Sequence, residues 1–184
     1  MAVYNTPADA ANTAVRAFLT RIGEYYLKRS FNTGTGKGKQ DWLKIKDEIF
    51  EGKCVYCGKS DSKLQIEHLI MFNKVEFGLH HPGNIVPACV NCNGRSKSEN
   101  NAYKNWEQHL SFICERDNQK QNFFDRWNKI KRHTEEGEFR YPPLSTEESK
   151  AIAIIANNLY ESIKNEFDQA VRLFQELDEA YTKR

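Results

Sequence analysis

The chain has 184 residues, 28% of them charged and 39% hydrophobic, with a mean hydropathy of −0.75. That length suits one ordinary core with attached helices, and no apolar run is long enough to cross a bilayer. Net charge is +2 but uneven: residues 1–143 hold 22 lysines and arginines against 17 acids, residues 144–184 five against eight. A weakly basic body with an acidic end piece permits phosphate binding in the body. The opening MAVYNTPADAANTAV has neither a basic start nor an apolar stretch. No secretory signal is therefore expected, and a cytoplasmic location is.

The first predicted helix begins at Asn5 or Thr6 as cap, with Pro7 in its first turn and Asp9 just after. Val15, Phe18, Leu19, Ile22, Tyr25 and Tyr26 recur at three and four residues and give one buried stripe to about Ser30. FNTGTGKGKQ then reads as a flexible linker whose Lys37 and Lys39 are either solvated or touch phosphates. A short helix, DWLKIKDEIFEG, starts at Asp41 and leads into CVYCG. Two strand candidates follow, LQIEHLI and NIVPA, and helix is expected again from about Asn91. Segments 102–116 and 119–133 are rich in aromatics and read as packed helices, ended by Pro142-Pro143. Ser145-Thr146-Glu147-Glu148 is a capping box. No proline or glycine interrupts the chain from there to Arg184, and Ile152, Ile155, Leu159, Ile163, Phe167, Val171, Phe174, Leu177 and Tyr181 keep a helical spacing. Such a helix is about 55 Å long at about 1.5 Å per residue, more than a small core covers. It either folds back on the first helix or pairs with another chain.

Five cysteines cannot all pair within one chain, and without an export signal two C-x-x-C pairs point to metal rather than disulfides. Cys54, Cys57, Cys89 and Cys92 offer four thiolates from two tight turns, 31 residues apart. That donor set suits tetrahedral zinc and leaves no open position, so the metal is expected to be structural. Cys114 stands apart at a helical position and reads as a core thiol.

Between the knuckles lie Glu67-His68 at the end of a strand, Asn84 opening the next, and Asn93-Gly94-Arg95-Ser96-Lys97 after the last cysteine. A C-x-x-C, an acidic residue before His, an Asn sixteen residues on and C-x-x-C-N together resemble the HNH endonucleases of the His-Me finger (ββα-metal) group. The resemblance covers residues 54 to about 100. It implies an α-rich (α+β) chain with a small zinc-bound ββα-metal core: a helix and linker over 1–40, the core over 41–105, a helical extension over 106–143 and a long helical segment over 144–184.

The resemblance also implies hydrolysis of phosphodiester bonds in DNA, RNA not being excluded, with 5′-phosphate and 3′-hydroxyl ends. His68 would be the general base, since imidazole accepts a proton near neutral pH. Glu67 and Asn93 would hold a catalytic magnesium or manganese ion by oxygen, Asn84 would brace the loop carrying the base, and Arg95 and Lys97, in the first turn of a final helix, would contact phosphates. Glu67 stands where the family most often has Asp. Adjacent strand residues also face opposite ways, so Glu67 and His68 share a site only if the strand ends or bulges there. Small proteins of this kind suggest a place in phage defence or restriction, with a homodimer or a larger effector docking on the 145–181 helix.

Competing readings accompany each residue. Glu67-His68 alone could be a surface pair, and Asn84 after Gly83 turn chemistry. His80 and His81 precede Pro82 and read as loop residues or as secondary metal or DNA contacts; His109 reads as a packing or surface residue. Lys129, Lys131, Arg132 and His133 form either a solvated face or a backbone clamp. As a whole, the chain could instead be a non-catalytic zinc module binding nucleic acid or protein.

Overall fold

The computed structural model describes residues 6–61 and 63–182; Asn5 and the end of the last predicted helix lie outside them. Thr6 caps α1 (Pro7–Leu27) in a full capping box, accepting from the Asp9 amide while the Asp9 carboxylate accepts from its own. Ala11, Val15 and Leu19 are its buried stripe. At the other end of the chain, α5 (Thr146–Thr182) starts as expected. Glu148 accepts from the Ser145 amide at 2.7 Å, and its own amide donates to Ser145 Oγ at 3.1 Å.

These two helices pack on each other with Leu79, Ile152, Ala156 and Tyr160 between them. The pair is antiparallel, because Tyr26 near the end of α1 donates its hydroxyl to Glu148 near the start of α5 at 2.8 Å. The 21 residues of α1 cover about 31 Å and the 37 of α5 about 55 Å. The distal part of α5 therefore runs past its partner. The stripe continues there without cover: Phe167, Val171, Leu173, Phe174, Leu177 and Tyr181 are 45% to 70% exposed. The near half thus folds back on α1, the first of the two outcomes foreseen for this helix, and the outer half leaves its stripe exposed.

The second core surrounds a two-stranded antiparallel sheet, β1 (Gln65–His68) against β2 (Ile85–Ala88), with His68 opposite Ile85 and Glu67 opposite Val86. A lone hairpin is marginal in water; this one is enclosed by the cysteine knuckles, Phe31, Ile45 and Phe50, by α3 (Trp106–Arg116) and by α4 (Phe123–Lys131). Every residue of β2 is buried.

Two sequence expectations need correction. The presumed linker is helical from Gly36: α2 (Gly36–Leu43) runs on through a π-helical turn over Lys44–Ile49. Gly38 lets the helix lie against the Asn32 backbone, where a Cβ would come within 2.5 Å. Second, no helix follows the last knuckle. Residues 91–105 are turns and irregular chain, and α3 starts only at Trp106, capped by Asn105 and Gln108. Arg95 and Lys97 are loop residues, not the first turn of a helix.

Candidate metal centre and active site

The two knuckles bring the four sulfurs of Cys54, Cys57, Cys89 and Cys92 within 4.8 Å of one another, all buried. Cys57 and Cys89 Sγ lie 3.8 Å apart, which is about the edge of a tetrahedron with metal–sulfur bonds of about 2.3 Å. The first turn closes through Gly58 N to Cys54 O at 2.8 Å, and Gly58 takes a φ of +71° that a side chain would strain. Cys54 is pushed up to about 11 by its hydrogen bond with Cys57, while Cys57 is lowered by hydrogen bonds from Cys54 and Cys92. Sulfurs so close share their protons unless a cation relieves them. The cluster suits zinc, and no fifth donor is needed.

Residues far along the chain hold this cluster in place. Arg126 of α4 donates to Tyr56 O at 2.8 Å and Cys57 O at 3.1 Å, fixing the first knuckle. His109 of α3 bonds Cys92 O through Nε2 at 3.0 Å, and its Nδ1 accepts from the Ser96 amide at 3.3 Å, fixing the second. His109 is 1% exposed; it packs, as foreseen, and it also orients the loop after Cys92. Cys114 is a buried thiol beside Arg126.

β1 keeps its alternation to the last residue, and this divides the expected catalytic group. Glu67 turns to one face. Its Oε1 accepts from Arg95 Nε at 2.5 Å and from the Tyr56 hydroxyl at 3.3 Å. Burial pushes its carboxyl up from the usual range against the pull of Arg95. Arg95 is itself buried and spends its other donors on the carbonyls of His68, Leu69 and Lys104. Asn93 lies on this face too, donating to Gln65 Oε1 at 2.7 Å.

Three expectations change accordingly. Glu67 and Asn93 are not brought to His68. They also do not fit a magnesium or manganese site, because a guanidinium already occupies the carboxylate and a cation there would meet its charge. Arg95 is an internal strut rather than a phosphate contact, while Lys97 remains exposed, 5.2 Å above the Tyr103 ring.

His68 turns to the other face. Its ring stacks on Phe72 at 4.9 Å and 18°, and its Nε2 lies 3.0 Å from His80 Nδ1. No described residue hydrogen-bonds its Nδ1. Burial, with His80 and Arg95 adding to it, lowers His68 to about 3, so the ring is neutral at pH 7. Both histidines line an open pocket of about 470 Å³ with Glu24 and Thr20 of α1, Phe31, Asn32 and Phe72. α1 reaches this wall through Gly23, where a Cβ would strike His80 O at 2.3 Å. His80, which the sequence left as a loop residue, is thus next to the expected base. A histidine twelve residues downstream in a loop carries no spacing signal that would have announced this.

Asn84 is buried and spans the ends of the loop after β1. Its Oδ1 accepts from Ile70 N at 2.8 Å, and its Nδ2 donates to Ile70 O and Leu79 O, each at 2.9 Å. It thereby fixes the segment between His68 and His80. His81 and His133 serve the interior. His81 Nδ1 accepts from Gly83 N at 3.1 Å, and His133 Nε2 lies 3.1 Å from both Pro82 O and Ile85 O. His133 is therefore no part of a basic clamp, and its neighbours Lys129 and Lys131 are paired with Glu51 and Glu135.

Residues 54–99, which span both knuckles and β1–β2, match the family model of the HNH endonucleases. The match supports a nuclease-family function for this part of the chain. No curated protein and no solved structure matches the chain. No described helix is long and apolar enough to cross a membrane.

Proposed function

We propose that the protein is an endonuclease that hydrolyses phosphodiester bonds of DNA, with His68 as general base. The observation that carries this reading is an imidazole lining an open pocket, fixed in plane by Phe72 and bonded at one nitrogen only. A neutral ring can take a proton from water as the oxygen attacks phosphorus. The bond from phosphorus to the 3′ oxygen breaks, the leaving oxygen takes a proton from solvent, and the ends are a 5′-phosphate and a 3′-hydroxyl. Asn84 supports the base by holding the loop that follows it. Zinc at the four cysteines supplies the fold and no chemistry.

The test is incubation with supercoiled plasmid, linear duplex, single-stranded DNA and RNA, with product ends identified. Cleavage of DNA to 5′-phosphate ends supports the reading; cleavage of RNA alone moves it to another substrate. A second reading, a non-catalytic zinc module, draws on the separation of His68 from Glu67 and Asn93 across β1. It expects binding without cleavage on every substrate. A role in phage defence or restriction rests on the family resemblance and is tested by phage challenge of cells carrying wild type or His68→Ala. The uncovered half of α5 is where a second copy would dock, through Phe174 and its neighbours.

A further inference from the structure

The stack on Phe72 fixes the plane of the His68 ring, but it does not decide which nitrogen carries the proton or which edge faces the pocket. A half-turn of the ring would stack equally well. The contact that breaks this symmetry is His80, 3.0 Å away through Nδ1. His80 is held in turn. Its ring packs on Phe31 at 4.9 Å and on Phe72 at 5.5 Å, and the close approach of α1 at Gly23 pins its backbone.

Between two neutral imidazoles one proton is shared, and two arrangements exist. In one, His80 donates and His68 keeps its own proton on Nδ1, which leaves no base. In the other, His68 donates from Nε2 and its Nδ1 lone pair is free. Glu24, held by Arg21 at 2.7 Å and by the Phe31 amide at 3.0 Å, lines the same pocket. Its carboxylate raises the proton affinity of His80, and a proton on the His80 nitrogen that His68 leaves unused, Nε2, makes Nδ1 the acceptor.

We propose that His80 is a positioning residue for His68: it accepts the Nε2 proton at its own Nδ1 and so reserves His68 Nδ1 for the attacking water. The role is that of a histidine's second partner, which selects tautomer and orientation without touching substrate. The proposal rests on His68 acting as base, but its central element, the tautomer, can be read without any activity.

The experiment has two arms. In the first, nitrogen NMR of histidine-labelled full-length protein near pH 7.5 reads the His68 tautomer. A protonated Nε2 and a bare Nδ1 are expected, with the preference lost in His80→Ala. A His68 protonated on Nδ1, or a tautomer unchanged in His80→Ala, overturns the proposal. In the second, plasmid cleavage by His80→Ala is expected to lose about tenfold or more in kcat, with KM within about twofold. His80→Asn, whose Oδ1 can replace Nδ1 as acceptor, is expected to regain most of that loss. Full kcat in His80→Ala, or no regain in a folded His80→Asn, overturns it. Wild type that cuts nothing removes the nuclease reading alone, and the first arm still decides whether the pair is set as proposed.

Discussion

Arg95 and Glu67 form a buried ion pair, Nε to Oε1 at 2.5 Å, on the face of β1 opposite His68. This pair, rather than a cation site, is what the carboxylate before the histidine builds here. Breaking a buried pair from one side strands a charge and costs about 3–5 kcal/mol. Arg95→Ala is therefore expected to lower thermal stability sharply, and so is Glu67→Gln, which keeps the shape but leaves the buried Arg95 charge without its partner. Thermal melts of both variants check this. An Arg95→Ala protein that melts with wild type would show that the pair does not form.

The four-cysteine cluster, which suits zinc, leads to a separate prediction. The small sheet and its loops hold together around four thiolates, so removing one takes away much of the metal's contribution to folding. Cys89→Ser is expected to lose stoichiometric zinc and the cooperative melt of the core. Cys114→Ser, whose sulfur lies beside Arg126 and outside the cluster, is expected to keep its zinc. Metal analysis with circular dichroism reads both. Full zinc in Cys89→Ser would contradict the four-thiolate site.

Much of this was written in the chain, and the reasons are local. Two C-x-x-C turns need only short-range geometry to present sulfur, and the capping boxes at Thr6 and Ser145 are set by residues three apart. Asn84 was legible because its spacing from His68 is part of a pattern. What was not legible depends on distant partners. Nothing near Glu67 announces that Arg95, twenty-eight residues on, will claim its carboxylate. Nothing near Cys57 announces Arg126, and nothing near Cys92 announces His109. The alternation of β1 is legible in the sequence and sets a demand on the catalytic group, and the strand obeys its own period. The helix that starts at Gly36 was hidden because glycine reads as flexibility, whereas at Gly38 the missing side chain permits close packing on Asn32.

Buried histidines give the fold a pH dependence. Burial, with Arg29 adding to it, pushes His81 down to about 4, and burial lowers His133 as well. The unfolded chain takes up protons near pH 6.5, where the native state does not. Stability is thus fully present above about 6.5 and is lost as pH falls below it, by about 1.4 kcal/mol per pH unit for each such histidine. Denaturant midpoints at pH 7.5, 6 and 5 are expected to fall steadily, and His81→Asn, which keeps an acceptor for the Gly83 amide, to soften the fall. Equal midpoints across that range would contradict the assignment.

The outer half of α5 exposes six large apolar side chains in continuity with the stripe that packs on α1. Residues at the centre of this face, Val171, Leu173, Phe174 and Leu177, carry no charge to repel a second copy. Light scattering behind size exclusion is expected to give a dimer for wild type and a monomer for Phe174→Asp, with unchanged melting of the core. A wild-type monomer at tens of micromolar would contradict self-association through this face.

His68 as a base is the centre of the proposed chemistry. The most direct measurement is the rate of plasmid cleavage by wild type beside His68→Ala, each verified as folded and zinc-loaded. The expected result is a loss of about 100-fold or more in rate with DNA binding retained; equal nicking by the two proteins would contradict it.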